Sequence, residues 1–243
     1  MKQPSRAILK PMLITCALVL VMLVVVIAVR LVGLQRSVAG YREYWQTLAK
    51  ETPEPESLTY VALGDSAVQG IGASKPQKSY VGLLKTALED KTGKSVQMLN
   101  ISVSGAKVAD VSASQIPQLS GLKIDDKTII TLSIGGNDAV HRNPNFAKDI
   151  DTLFSQLPKQ TIVADIGYFG GGRYRSRQSF VDQVNPQLYA AAAKHGLKVV
   201  KLHQVTKDRD SLRNSAIDIF HPSDRGYRNW YDAFWPEVQK QVE

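Results

Sequence analysis

A chain of 243 residues, 44% of them hydrophobic and 21% charged, is long enough for a self-sufficient core and too apolar for intrinsic disorder. Its net charge of +8 does not mark a nucleic-acid surface, because residues 1–40 hold five basic residues and no acid, leaving 25 basic against 22 acidic residues beyond them. The single cysteine, Cys16, excludes an internal disulfide framework and any thiol chemistry outside the first forty residues.

Residues 12–29 carry no charge and are almost wholly aliphatic, with Lys10 before them and Arg30 after them. A run of about 18 or more apolar residues is long enough to cross a bilayer. Lys2, Arg6 and Lys10 precede the run and no acid occurs before Glu43, which predicts a cytoplasmic N-terminus and an extracytoplasmic remainder. A cleaved signal peptide has a shorter apolar core, of about 7–15 residues, and the cleavage-like Ser37-Val38-Ala39 lies far beyond this one. A lipoprotein signal would place its cysteine after the apolar core, whereas Cys16 stands near the start. The expectation is a single-pass protein of the cell membrane. Residues 1–30 form its cytoplasmic end and signal-anchor helix, 31–57 a juxtamembrane helix and linker, and 58–243 the outer domain.

Leu34, Val38, Tyr41, Trp45 and Leu48 recur at helical spacing, so the helix continues past the apolar run. Tyr41, Tyr44 and Trp45 suit either the headgroup level of a membrane or the surface of the domain. Residues 51–57, acidic and with two prolines, form a linker or extended lead-in. Beyond them, short apolar runs rich in β-branched residues at 58–63, 96–101, 128–134, 161–166 and 197–202 predict five strands. Segments of helical pattern at 80–91, 108–119, 145–157, 180–195 and 223–242 alternate with them. Such alternation predicts an α/β fold with a parallel sheet covered by helices on both faces, and near-continuous apolar strands agree with a sheet buried on both sides.

In sheets of this kind ligands bind beyond the carboxyl ends of the strands. Four stretches fall there. Gly64-Asp65-Ser66 follows the first strand, Ser104-Gly105-Ala106 the second, and Gly135-Gly136-Asn137-Asp138 the third, while Asp218-Ile219-Phe220-His221 precedes the last helix. A serine hydroxyl becomes a nucleophile only when a neighbouring base takes its proton, which points to Ser66 with a histidine partner. His221, just before the last helix, has a carboxylate three residues earlier, a spacing that lets one turn set Asp218 against one ring nitrogen while the other faces Ser66. His195 ends a helix, where a cation is favourable without further function. A glycine amide at Gly105 and the side-chain NH₂ of Asn137 offer donors for a developing oxyanion. Pro222 and Ser223 lead into the last helix, with Ser223 as its N-cap.

The ordered set resembles the SGNH or GDSL family of serine hydrolases, whose four blocks are led here by Ser66, Gly105, Asn137 and His221. The resemblance covers about residues 60–227. It implies a three-layer α/β/α sandwich around a five-stranded parallel sheet (flavodoxin-like), preceded by one transmembrane helix. It also implies a triad of Ser66, Asp218 and His221, with the Ser66 amide, the Gly105 amide and the Asn137 side chain as oxyanion hole. No cofactor and no metal are required by this chemistry. Ala67 stands where the family usually has leucine, and the tract Gly167-Tyr168-Phe169-Gly170-Gly171-Gly172 looks idiosyncratic to this chain, at the expected substrate rim.

Rival sites fit less well. The last glycine of a Gly-x-Ser-x-Gly elbow is replaced by Val68, and Gly70-Ile71-Gly72 lacks the third glycine of a dinucleotide fingerprint. Zinc-type histidine spacing does not occur, and the early Asp-x-His of metallophosphoesterases is missing. The expected activity is hydrolysis of a carboxylic ester through an acyl-enzyme. A small acyl group on carbohydrate is the preferred substrate and a lipid ester the next. An O-acyltransferase with the same triad, or a non-catalytic carbohydrate- or wall-binding module, are the alternatives. Expected partners are the ester substrate and the membrane, with no nucleic acid.

Overall fold

The computed structural model describes the backbone of residues 6–243 and the side chains of residues 12–243. Lys2, and the side chains of Arg6 and Lys10, on which the expected orientation in the membrane rests, lie outside the described residues. The first element, α1, is one uninterrupted helix, Arg6–Leu48. It passes through the boundary expected at residues 30 and 31 without a break. Its apolar part is exposed along its length, and the helix is apolar and long enough to cross a membrane.

Five strands follow: β1 (Leu58–Gly64), β2 (Val96–Asn100), β3 (Thr128–Ser133), β4 (Ile162–Ala164) and β5 (Lys198–Val200). All pair in parallel, in the order β2-β1-β3-β4-β5. The pleat sends alternate residues to opposite faces. Val61 and Leu63 of β1, with Ile130 and Leu132 of β3, meet the helices α7 (Phe146–Ser155) and α8 (Gln178–His195) in one core cluster. Tyr60 and Ala62, with Ile129 and Ala164, face α3 (Tyr80–Thr92) and α10 (Asp224–Val238) in the other. The architecture is therefore the expected three-layer α/β/α sandwich on a five-stranded parallel sheet, after one apolar N-terminal helix.

Three short helices had no signal in the periodicity: α2 (Ser66–Gln69), α6 (Gly136–His141) and α9 (Leu202–Asp208). The single helix expected over 108–119 is instead α4 (Val108–Asp110), a π-turn over Val111–Gln115, and α5 (Ile116–Ser120). Pro117 supplies the reason. It has no N–H to give and its ring clashes with the carbonyl one turn earlier, so the helix must widen ahead of it.

The end of α1 is built into the outer domain. Trp45 is 1% exposed and packs in the cluster shared by α3 and α10. Its indole N–H donates to the Gln69 carbonyl at 2.9 Å, and the Tyr41 hydroxyl donates to the Ala73 carbonyl at 2.7 Å. Of the two placements open to these aromatics, Tyr41 and Trp45 take the one on the domain. Trp45→Ala should lower unfolding free energy by about 3–5 kcal/mol, the usual loss for a buried tryptophan. Denaturant titration of the detergent-solubilised chain checks this, and a fragment starting at Glu51 should be destabilised in the same way.

Candidate active site

The strand order turns around between β1 and β3, because β2 lies on one side of β1 and β3 on the other. At such a switch point the loops leaving the carboxyl ends part and open a crevice. Ser66, from the end of β1, and Asn137, from the end of β3, flank it.

Ser66 opens α2, and Asp65 caps that helix by accepting the Ala67 amide at 3.0 Å. The Ser66 hydroxyl lies 2.8 Å from Nε2 of His221, although 155 positions separate them. Nδ1 of His221 lies 2.6 Å from Oδ2 of Asp218. The other oxygen of Asp218 accepts the amides of Phe220 and His221, both at 3.1 Å. The tight turn that permits this carries Ile219 at φ +55°. Burial pushes the Asp218 carboxyl up, but the hydrogen bond and charge of His221 and the two amides outweigh it, leaving the pKa below the ordinary value. An ionised Asp218 fixes the Nδ1–H tautomer, which leaves Nε2 free to accept a proton from Ser66.

Gly105 stands at φ +84°, a region unfavourable to any side chain, with open space where a Cβ would point. Among the described residues neither its amide nor that of Ser66 donates to a protein acceptor. Asn137 donates one side-chain N–H to the Ala106 carbonyl at 2.9 Å, while Asp65 lies at a long 3.4 Å from the same nitrogen. The structure thus brings together all five residues singled out in the sequence: Ser66, Gly105, Asn137, Asp218 and His221. The remaining histidines have other surroundings. His195 pairs with Asp151 at 2.8 Å, His203 contacts the Ile166 carbonyl at 3.1 Å, and His141 ends α6.

Several supporting residues escaped sequence reading. Gln115, in the π-turn, is fully buried and clasps the backbone of Gly64 from both sides, accepting its N–H and donating to its carbonyl at 2.8 Å each. Asp138, also fully buried, accepts the Val108 amide at 3.0 Å and an N–H of Asn143 at 2.7 Å, tying α6 to α4 beside Asn137. Gly72 is the second glycine of the pair that faintly suggested a dinucleotide site. At φ +98°, its Cβ would fall 2.4 Å from the Pro222 carbonyl and 2.9 Å from Cβ of His221. That glycine lets the histidine loop close on the serine loop. The only sequence signals were a glutamine ahead of a proline, an acid following Asn137 and a glycine pair, all too common to single out.

The loop after β4 braces the turn that carries Asp218 and His221. Phe169 and Tyr174 set their rings edge-on to Phe220, which is edge-on to His221, and the Arg173 amide donates to the Ile219 carbonyl at 2.8 Å.

Asp65 is buried beside these groups. Burial raises its carboxyl to about 6, opposed in part by the Ala67 amide and by the charge of His221 and assisted by Asp138. A raised acid pKa stabilises the folded state below the unfolded value, and that contribution is lost as pH rises through the folded one. Unfolding free energy should therefore fall between about pH 4 and pH 6, and Asp65→Asn should flatten this decline. Denaturation of both proteins at closely spaced pH values measures it. Gln115→Leu, which strands the buried Gly64 N–H, should cost about 1–3 kcal/mol in the same assay.

The GDSL-like lipase/acylhydrolase family model matches residues 62–228, more than half of the chain. The uncharacterised protein YpmR of Bacillus subtilis is 25% identical over 224 residues, with 79% of this chain and 86% of that protein covered. The spore germination lipase LipC of Bacillus licheniformis is 24% identical over 195 residues, covering 70% and 92%. Among solved structures, a lipase/acylhydrolase from Enterococcus faecalis superposes with a TM-score of 0.61 at 19% identity, covering 76% of this chain and 96% of its own. An acetyl xylan esterase from Geobacillus stearothermophilus gives 0.61 at 18% identity, covering 74% and 94%. The chain belongs to the GDSL-like lipase/acylhydrolase family and is a carboxylic ester hydrolase.

Proposed function

We propose that this protein is a membrane-anchored serine esterase whose catalytic domain lies outside the cytoplasm. The observation that carries the chemistry is the unbroken run of short contacts from Ser66 through His221 to Asp218, 2.8 and 2.6 Å. Ser66 Oγ attacks the acyl carbonyl as His221 Nε2 takes its proton. His221 returns that proton to the departing alcohol, and Asp218 offsets the imidazolium charge in between. Water, deprotonated by the same Nε2, then attacks the acyl-enzyme, releasing the acid and restoring Ser66. The Ser66 and Gly105 amides and the second N–H of Asn137, held only by its long contact to Asp65, meet the oxyanion of both tetrahedral intermediates.

The anchor is supported by the exposed apolar helix and by the placement of Ser37-Val38-Ala39 inside α1, where a protease would have to unwind it. The N-terminal basic residues favour a cytoplasmic N-terminus. The same triad would serve acyl transfer if a sugar hydroxyl displaced water, and product analysis with and without a carbohydrate acceptor separates the two reactions.

The chain in detergent should label with a fluorophosphonate and hydrolyse p-nitrophenyl acetate. Ser66→Ala should abolish labelling and reduce turnover by at least about 10⁴-fold. Asn137→Ala should keep the labelling site but reduce kcat about 100- to 1,000-fold, the usual loss for one oxyanion donor. Turnover by Ser66→Ala equal to wild type would sink the assignment.

A further inference from the structure

The direction of α1 relative to the sheet decides what the active site faces. Tyr41 bonds to Ala73, next to Gly72 beneath His221, at the catalytic edge of the sheet. Trp45, one turn later, bonds to Gln69. The chain then passes through 51–57 to Leu58, at the opposite edge, where Glu56 pairs with Lys127 just ahead of β3. The docked end of α1 therefore runs from the carboxyl edge toward the amino edge, antiparallel to the strands. Traced backwards, the helix leaves the domain from the edge that holds Ser66 and His221.

The distance is short. From Val32, the last of the exposed apolar residues of α1, to Tyr41 is about 14 Å of helix. A strand as long as β1 spans about 20 Å, so an anchor attached at the other edge would hold the site at least that much farther away. The headgroup layer alone fills about 5–8 Å beyond the hydrocarbon.

A second observation, independent of the helix direction, lies in the loop before α10. Apart from α1, the exposed large hydrophobic residues among those described are Leu212, Ile217 and Ile219, at 70%, 39% and 45%. All three sit within eight positions of one loop, beside exposed Arg213; Ile219 lines the catalytic cleft, and Leu212 and Ile217 alternate along the loop with the cleft-lining Ser211, Asn214 and Ser215. Ile219 is unfavourable twice over, as a β-branched residue at positive φ and as an apolar side chain in water. Contact with an apolar phase removes the second penalty.

Resting on the anchored reading above, we propose that the catalytic mouth faces the bilayer crossed by α1. Leu212, Ile217 and Ile219 rest in its interface, and the substrate is an amphiphilic acyl ester resident in that membrane. Arg213 suits anionic headgroups. The cleft offers Ile166, Phe169, Tyr174, Phe220 and Trp230 to an acyl chain entering from that side. This favours the lipid ester over the acylated carbohydrate preferred from location alone.

The test uses the full chain in vesicles of phosphatidylcholine and phosphatidylglycerol. A bimane label is placed on the native Cys16, or on Ile217→Cys or Lys94→Cys in a Cys16→Ser background, with fluorophosphonate labelling of Ser66 confirming the fold of each. Lys94 is exposed at the opposite edge, just before β2. Spin-labelled lipid should quench positions 16 and 217 and spare 94. Quenching at 16 with 217 as unquenched as 94 overturns the orientation while the anchor stands; no quenching at 16 overturns the anchor itself. For the substrate, a vesicle-borne long-chain monoacylglycerol should be hydrolysed faster than an acetylated xylo-oligosaccharide. Leu212→Asp with Ile217→Asp should lower vesicle turnover relative to p-nitrophenyl acetate turnover by about tenfold or more. Preference for the oligosaccharide, or an unchanged ratio, overturns the substrate assignment.

Discussion

The site depends on one clamp, the grip on residues 69–74 from two sides. From the C-terminal side, the buried Tyr227 hydroxyl donates to the Ile71 carbonyl at 2.7 Å, and Asp224 accepts the amide and hydroxyl of Ser74, each at 2.7 Å. From the N-terminal side, Tyr41 and Trp45 hold the carbonyls of Ala73 and Gln69. Gly72 between them removes a Cβ that would push the histidine loop away. A 1 Å error between nucleophile and base costs catalysis about two orders of magnitude, so the clamp matters more than its individual bonds suggest. Each of these bonds joins parts of the chain far apart in sequence. Loop-closure entropy is met once, by the folded sheet, and the catalytic contact inherits the result.

The tight turn of residues 218–221 carries the strain that the clamp makes tolerable. Ile219 in the left-handed region costs on the order of 1–3 kcal/mol relative to an unstrained residue. In return the Asp218 carboxylate curls back onto two amides and still reaches Nδ1 of His221. The Arg173 amide on the Ile219 carbonyl, and the aromatic chain from Tyr174 and Phe169 through Phe220, hold the strained turn from outside. The tract 167–177 thus has a mechanical part in the site whatever it contributes to substrate choice.

How much of this could be read from the sequence follows from the range of the forces involved. The central strands β1, β3 and β4 are buried on both faces and therefore apolar almost throughout, and the edge strands β2 and β5 still bury enough apolar residues to show as runs. Asp218 and His221, three positions apart, were visible because the spacing itself implies the turn. Their pairing with Ser66 spans 155 positions and was legible only through the order of the four blocks. The helices α2, α6 and α9 have 4, 6 and 7 residues, too short to be stable alone, and exist because the sheet edge holds them. Gln115 and Asp138 could not be found at all, since their partners are backbone atoms of Gly64 and Val108, which carry no sequence code. Periodicity did show that a helix continues past residue 30, but not where its aromatic face would go. Burial of Trp45 in the domain answered that.

That burial changes what the tether is. A flexible linker after a membrane span would let the domain tumble and meet esters far from the bilayer. Here no such linker stands between the apolar part of α1 and the domain, because the same helix continues into the α3 and α10 cluster. The flexible-looking residues 51–57 come only after the docking, so on the proposed anchoring they set no distance between site and membrane. A rigid arm allows rotation about the membrane normal and modest tilt, and little else. Because Tyr41 and Trp45 also hold the residues that follow Ser66, an arm that on the proposed anchoring sets the height of the domain shares its contacts with the loop after Ser66. On the proposed reading, anchoring the domain and positioning Ser66 become linked requirements, both drawing on the same pair of aromatic side chains.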